Sequence, residues 1–289
     1  MTAPGATPAR PKVGGDVRVT VLVDNRSTGG GLAREHGLSL WVEAGQSRVL
    51  IDTGETDAFL RNAAALGVDL STADAVALSH GHYDHTGGLP AALAAAPEAR
   101  LHLHPAALQP RYARRRRGRP QSIGMPAASR EAALAAADRI VWTEGPAELA
   151  PGVWCTGPVP RDEAREPGDP DFFFDAACTM PDPVPDDQSF WADTPDGLWV
   201  LLGCAHSGVL ATLEHIDRLT GGRPLSRLIG GTHLMVAPSE RVALVAADLA
   251  RRAPATLAPC HCTGRLAHAR FKRILPGAVL PVGSGAVVE

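Results

Sequence analysis

Residues 79–89 read SHGHYDHTGGL, and the fold is best approached from them. His80, His82, Asp84 and His85 put four potential metal ligands into one short stretch, directly behind the apolar run 75–78. Neither a helix face nor a strand face accounts for that density. In an extended loop His80, His82 and Asp84 point one way, and His85 points elsewhere unless the loop turns. Two close but different directions suit a pair of neighbouring metal ions. Imidazole with carboxylate serves Zn, Fe, Mn or Ni, whereas imidazole is a poor choice for Mg or Ca. Gly81, Gly87 and Gly88 leave room for close backbone approach. A histidine-rich surface loop is the ordinary alternative, but nothing in such a loop demands this spacing behind a strand.

Working outward, Val17, Val19, Val21 and Val23 alternate as one face of a strand. The pattern predicts further strands over 38–43 and 48–51, a helix over 57–66 stopped by Gly67, a strand over 75–78, a helix over 89–96 and a strand over 100–104. Residues 105–187 are irregular and predict loops, a hairpin or two and a helix over 129–138. Alternation then resumes, with strands over 198–202, 225–229, 256–258 and 279–282. Helices are expected over 209–219, 239–252 and 265–274. Both halves begin with strands and continue as strand–helix alternation. Packed sheet to sheet with helices outside, they predict an α/β protein with a four-layer αββα sandwich. Residues 1–15, rich in Pro, Ala and Gly, are expected to form a disordered tail, and 16–289 a single domain.

The H-x-H-x-D-H motif behind a strand, with the preceding turn Ile51, Asp52, Thr53, Gly54, resembles the metallo-β-lactamase superfamily. The likeness runs from about residue 16 to the end. Four segments are similar to the dihydropterin ribofuranosylaminobenzene 5'-phosphate synthase-like branch: EHGLS (35–39), LLGCAHSGVLATLEHI (201–216), IGGTHL (229–234) and PCHCTG (259–264). They are specific in combination and weak one at a time. The resemblance implies the αββα fold, with a one- or two-metal site at the sheet edge. It also implies ligands from later strand ends: a His, a bridging Asp or Cys, and a final His. No His lies between His104 and His206, so His206, at a strand's C-terminal end before a helix, is the expected substitute. Cys204 falls at the bridging position, as a thiolate ligand or as a small buried residue. His261 is expected as the last ligand, with His233 competing for that role or lining the site. Alternation turns Cys260 and Cys262 away, so both are expected to pack. Asp52 is expected to support the metal loop by hydrogen bonds, holding an imidazole in one tautomer. His36, His102, His104, His215 and His268 are expected to be structural.

On this resemblance His80, His82 and His206 hold one divalent ion, while Asp84, His85 and His261 hold a second. Zn is the first choice, with Fe or Mn open. A water shared between the ions would have its pKa brought toward neutrality and attack a carbonyl or phosphorus centre. Asp84 would orient it or pass a proton to the leaving group. There is no G-x-S-x-G elbow and no phosphate loop to supply a different chemistry. The implied activity is metal-dependent hydrolysis of a small anionic molecule. A synthase-like transferase joining a pterin to a ribofuranosylaminobenzene phosphate is the alternative, and a non-catalytic metal-binding protein is the third reading. An RNA-processing nuclease would want a long basic arm, and a flavin-linked diiron oxidoreductase a flavin domain for which no residues remain. Arg111 and the run of four arginines at 114–117 either meet the substrate or form a solvated basic loop. Phe172, Phe173, Phe174 and Trp191 either line a pocket or pack in a core or dimer contact.

Composition bounds these readings. With 289 residues, 45% hydrophobic and 20% charged, the chain can bury a core without disulfides. A net charge of −3 is no general nucleic-acid footprint, even though all but two of the 28 basic residues are Arg. No apolar run is long enough for a membrane span. The first residues lack the apolar core of a signal peptide, and five thinly spread cysteines make no disulfide framework. The expectation is a cytoplasmic protein with reduced thiols and a small-molecule substrate, with a homodimer as the default assembly.

Overall fold

The computed structural model describes residue 13 and residues 15–289. The rest of the expected N-terminal tail lies outside the described residues. Val13 itself is buried and donates its N–H to the Asp193 carbonyl at 2.9 Å.

The alternation of β1 (Val17–Val23) sorts its side chains between two cores. Val17, Val19 and Val21 enter the space between two sheets, and Leu22 faces an outer helical layer. A bulge between Val21 and Val23 shifts the register, so Val23 joins Leu22 outside instead of continuing the inward row. The first sheet runs in the order β16 (Val287–Val288), β1, β2 (Ser39–Ala44), β3 (Ser47–Ile51), β4 (Ala75–Ala77), β5 (Arg100–Leu103) and β8 (Ile140–Trp142). The second runs β15 (Thr256–Cys260), β14 (Leu225–Gly231), β13 (Gly197–Leu202), β12 (Ser189–Thr194), β10 (Val153–Cys155) and β9 (Ala147–Ala150). On β13, Trp199 and Leu201 point into the inter-sheet core, while Leu198, Val200 and Leu202 point outward. Helices α1 (Ala58–Leu66), α3 (Leu89–Ala95) and α4 (Ala127–Ala135) cover the first sheet. Helices α5 (Val209–Thr220), α6 (Ser239–Arg252) and α7 (Gly264–Ile274) cover the second. The result is the expected αββα sandwich, held by three apolar layers in which each fully buried Leu, Val or Phe contributes about 1.5–3 kcal/mol.

Several elements differ from the sequence reading. β12 lies outside every predicted strand, yet it is buried along its whole length and pairs antiparallel with β13. β8, β9 and β10, inside the segment expected to be irregular, extend the two main sheets. The strand expected over 279–282 is only an isolated bridge between Leu257 and Val279, and the last strand is β16, paired with β1. In the irregular middle, β6 (Tyr112–Ala113), β7 (Gln121–Ser122) and β11 (Phe172–Phe173) form a small third sheet.

β3, β4 and β5 are mutually parallel, as are β13, β14 and β15. Their C-terminal ends carry the segments that follow Ile51, Ala77, Leu202, Gly231 and Cys260. Loops at such ends are where α/β folds build sites.

Candidate metal centre

Behind β4 the chain does not stay extended. Tyr83–Thr86 makes a single helical turn, α2, and the N–H groups of His85 and Thr86 both bond to the His82 carbonyl at 3.1 Å. This turn overrides the period-two reading: it carries Asp84 and His85 to one cluster and leaves His80 and His82 in another. Gly87 permits the turn's close packing, because a Cβ there would lie 2.0 Å from the Glu55 carbonyl oxygen.

In the first cluster His80 Nε2 stands 2.9 Å from His82 Nδ1 and 3.2 Å from His206 Nε2. In the second, Asp84 Oδ2 stands 3.7 Å from His85 Nε2 and 3.5 Å from His261 Nε2, and the two ring nitrogens are 3.1 Å apart. Donor atoms about 2.1 Å from a tetrahedral ion lie about 3.4 Å from one another, so both spacings suit a shared cation. Two facing imidazole nitrogens can share at most one proton, whereas a cation between them satisfies both lone pairs. His82 Nε2 is buried with no hydrogen-bond partner. Cys204 Sγ borders both clusters, 3.2 Å from His85 Nε2 and grouped with His80. The donor set therefore fits divalent transition ions.

Burial, reinforced by neighbouring cationic partners, pushes His80, His82, His206 and His261 well below the usual histidine range and keeps their lone pairs free. For His85 burial acts the same way, but the Asp52 and Asp84 carboxylates outweigh it and push the ring up to about 9. Asp52 Oδ1 accepts from Ser79 N at 2.7 Å, and its Oδ2 accepts from Ser79 Oγ and His85 Nδ1, each at 2.7 Å. With its proton given to Asp52, Ser79 Oγ accepts from His80 Nδ1 at 2.9 Å. His80 thus carries hydrogen on Nδ1 and aims a bare Nε2 inward, whereas His85, held protonated between Asp52 and Asp84, gives Nδ1–H to Asp52 and sheds its Nε2 proton when an ion binds.

The loops behind β13, β14 and β15 each contain a residue with left-handed backbone: Ala205 (φ 56°), His233 (φ 49°) and His261 (φ 51°). Such strain in residues other than glycine persists where surrounding structure enforces it. His233 brings one donor atom within 4.8 Å of those of Cys204 and His206, at the border of the first cluster; its ring packs 4.2 Å from that of His206, with Phe172 beyond at 6.5 Å.

Several residues depart from the sequence reading. His36, expected to be structural, places Nε2 3.3 Å from Asp84 Oδ2; its place in EHGLS was the available signal. Cys262 was expected to pack away. A 3-10 turn over His261–Thr263 breaks strand alternation there, and Cys262 joins Cys204 and His261 in one group. Cys260 does pack in the inter-sheet core. Arg111 is fully buried, bonded to Asp186 and 3.6 Å from Asp182, so it is spent inside the protein. Arg114 lies over the Phe173 ring at 4.3 Å. Phe172 packs 5.3 Å from His82 and lines the site, whereas Trp191 is core. His104 accepts from Ala106 N, and His215 bonds to the Thr156 carbonyl. A cavity of about 220 Å³ opens beside His206 and His233, with Arg161, Glu166 and Arg241 in its wall.

Residues 33–198 match the family model of the metallo-beta-lactamase superfamily. The chain belongs to the metallo-β-lactamase superfamily. Among curated relatives, the 7,8-dihydropterin-6-methyl-4-(beta-D-ribofuranosyl)-aminobenzene-5'-phosphate synthase of Methanocaldococcus jannaschii is 26% identical over 250 residues, covering 82% of this chain and 84% of that one. An uncharacterized protein of the same organism is 29% identical over 247 residues, covering 85% and 90%. Among solved structures, Tm1679, described as a metal-dependent hydrolase of the beta-lactamase superfamily, is 29% identical with a TM-score of 0.78, covering 95% of this chain and 99% of that one. The metallo-beta-lactamase fold protein YhfI from Bacillus subtilis, 13% identical with a TM-score of 0.58 over 95% and 100%, shares the fold. Among the described residues of this superfamily member, no helix is long and apolar enough to cross a membrane.

Proposed function

We propose that this superfamily member is a metal-dependent hydrolase of a small, anionic molecule. The observation that carries the reading is the convergence of two donor triads on adjacent points. His80 Nε2, His82 Nδ1 and His206 Nε2 would hold one ion, and Asp84 Oδ2, His85 Nε2 and His261 Nε2 the other. Divalent ions bound there supply a water of lowered pKa and polarise a substrate oxygen. Zinc is the ion we favour for a centre of this donor set. The similarity to Tm1679 supports hydrolysis.

The chain's own groups then have separable tasks. Asp52 fixes the tautomers of His80 and His85. Asp84, buried at the junction of the clusters, accepts a hydrogen bond from the attacking water and hands a proton to the leaving group. Phe172 and His233 wall the site against bulk water. The cavity beside His206 sets a small substrate; Arg161 and Arg241 share its wall with Glu166 and Asp169, and Arg241 pairs with Glu166 at 3.8 Å, so the preference for an anion rests on the bound ions. Five free cysteines suit a reducing cytoplasmic compartment. A homodimer remains the working assembly.

A second reading is favoured by one observation, the similarity to the Methanocaldococcus jannaschii synthase: a transferase acting on a pterin. The test is metal content by plasma mass spectrometry, without chelator, followed by assays on esters, lactones, phosphodiesters and a pyrophosphorylated pterin acceptor pair. We expect about two ions per chain, a loss in His206→Ala, and turnover of a water-consuming substrate. Turnover only with the pterin pair would replace hydrolase by transferase. Metal without turnover on any of them would leave a binding protein.

A further inference from the structure

We propose that Cys262 joins Cys204 as a second sulfur donor to the ion on the His261 side of the centre, making that position a two-sulfur site with nitrogen and oxygen. The proposal rests on the two-metal reading above, takes Cys204 at the position the resemblance implies, and adds Cys262 to it.

The sulfurs meet across a strand. Cys204 follows β13 and Cys262 follows β15, and β14 runs between them. Side chains two strands apart start about 9.6 Å from each other, so a meeting needs the intervening strand to offer no side chain. β14 ends in Gly230 and Gly231. A Cβ on Gly231 would lie 2.7 Å from Cys262 Sγ and 2.4 Å from the Gly203 carbonyl oxygen. With hydrogen there instead, Cys204, Cys262 and His261 bring their donor atoms within 4.8 Å of one another.

Packing does not explain this pair. Cys155 and Cys260 belong to the inter-sheet apolar core, whereas Cys204 and Cys262 belong to none of the three apolar clusters. Their surroundings are polar. Cys204 Sγ faces His85 Nε2 at 3.2 Å, and Cys262 Sγ accepts the His233 backbone N–H at 3.2 Å. Backbone N–H groups directed at sulfur are a recurrent support for metal-bound thiolates. The left-handed backbone of His233 and His261 aims that N–H and presents Cys262 beside His261. Each thiol would release its proton to solvent as it binds. Two sulfurs bias the site toward thiophilic ions such as zinc and against manganese.

Zinc K-edge X-ray absorption on the zinc-loaded full chain tests this, with metal content measured on the same sample. A sulfur shell at about 2.3 Å, distinct from nitrogen and oxygen at about 2.0–2.1 Å, is expected in the wild type. It should weaken in Cys204→Ala, weaken in Cys262→Ala and vanish in the double variant. Two ions per chain without a wild-type sulfur shell would overturn the sulfur assignment and leave the two-metal reading standing. A shell unchanged in folded Cys262→Ala would overturn the role of Cys262. Failure of the wild type to take up two ions would overturn the two-metal reading, and this proposal with it. The wild-type spectrum decides even where a variant does not fold.

Discussion

Asp52 answers three donors with two oxygens, from a backbone at φ 56° that an aspartate tolerates better than most side chains. Removing it frees two imidazoles to change tautomer and leaves the Ser79 N–H unpaired in a buried place. Asp52→Ala is expected to weaken zinc affinity about 10- to 100-fold, read by competition with a chromogenic chelator. Unchanged affinity would reduce Asp52 to a prop for the loop. Arg111 shows the opposite outcome for a residue that sequence left open between substrate and solvent. It is fully buried against Asp182 and Asp186. Arg111→Met strands two buried carboxylates and should cost about 3–5 kcal/mol in urea unfolding, with KM little altered. A raised KM at full stability would return Arg111 to the substrate. Sequence cannot tell these fates apart, because burial depends on chain far away in number.

Among the elements, legibility followed length and periodicity. β1 spans several residue pairs, and α5 and α6 more than three turns each, and their apolar period announces them. β6, β7 and β11 are two residues each, too short to carry any period. β16 is equally short, yet it pairs Val288 with Val19 and Val287 with Thr20 on an otherwise open edge of the first sheet. Ending the chain after Gly285 should uncover the β1 edge, lower Tm and produce concentration-dependent light scattering. A truncated protein that melts and scatters like the wild type would show that edge to be harmless. The α2 turn is the element that mattered most, and sequence leaves it open as a loop that either stays extended or turns. The His82 carbonyl collects two N–H groups and closes Tyr83–Thr86 into a helix turn, which holds Asp84 and His85 but not His80 or His82.

At the scale of the whole molecule, the sandwich also buries ionisable groups outside the two donor clusters, and this sets an acid limit. Burial, helped by Arg100, pushes His102 down to about 4. The unfolded chain takes up this proton near pH 6.5 while the folded chain refuses it until about pH 4. Stability is therefore full above 6.5 and falls as pH drops toward 4. Between pH 7 and pH 5 the loss from this group alone is about 2 kcal/mol. Urea unfolding at both pH values, in wild type and His102→Asn, isolates it as a double difference. An equal pH dependence in the two proteins would clear His102. Metal adds a further contribution of the opposite kind, because ions that bind only the folded chain stabilise it. Chelator should lower Tm, and by less in His206→Ala.

Local chemistry reaches only as far as neighbours in number. From the sequence alone came the αββα layering, because valine and leucine alternation sorts side chains between two cores whatever the chain's path. The metal-loop histidines came the same way, because H-x-H-x-D-H is a local pattern. His206 and His261 were also reached, as strand-end residues implied by resemblance. What only tertiary structure decided is which atoms meet. His36 arrives at Asp84 by the packing of one loop on another. Cys262 arrives beside Cys204 because a 3-10 turn breaks a strand's alternation and Gly231 leaves the gap between them open. Those contacts join residues from five strand ends, and no periodicity along the chain encodes a distance between separate strands.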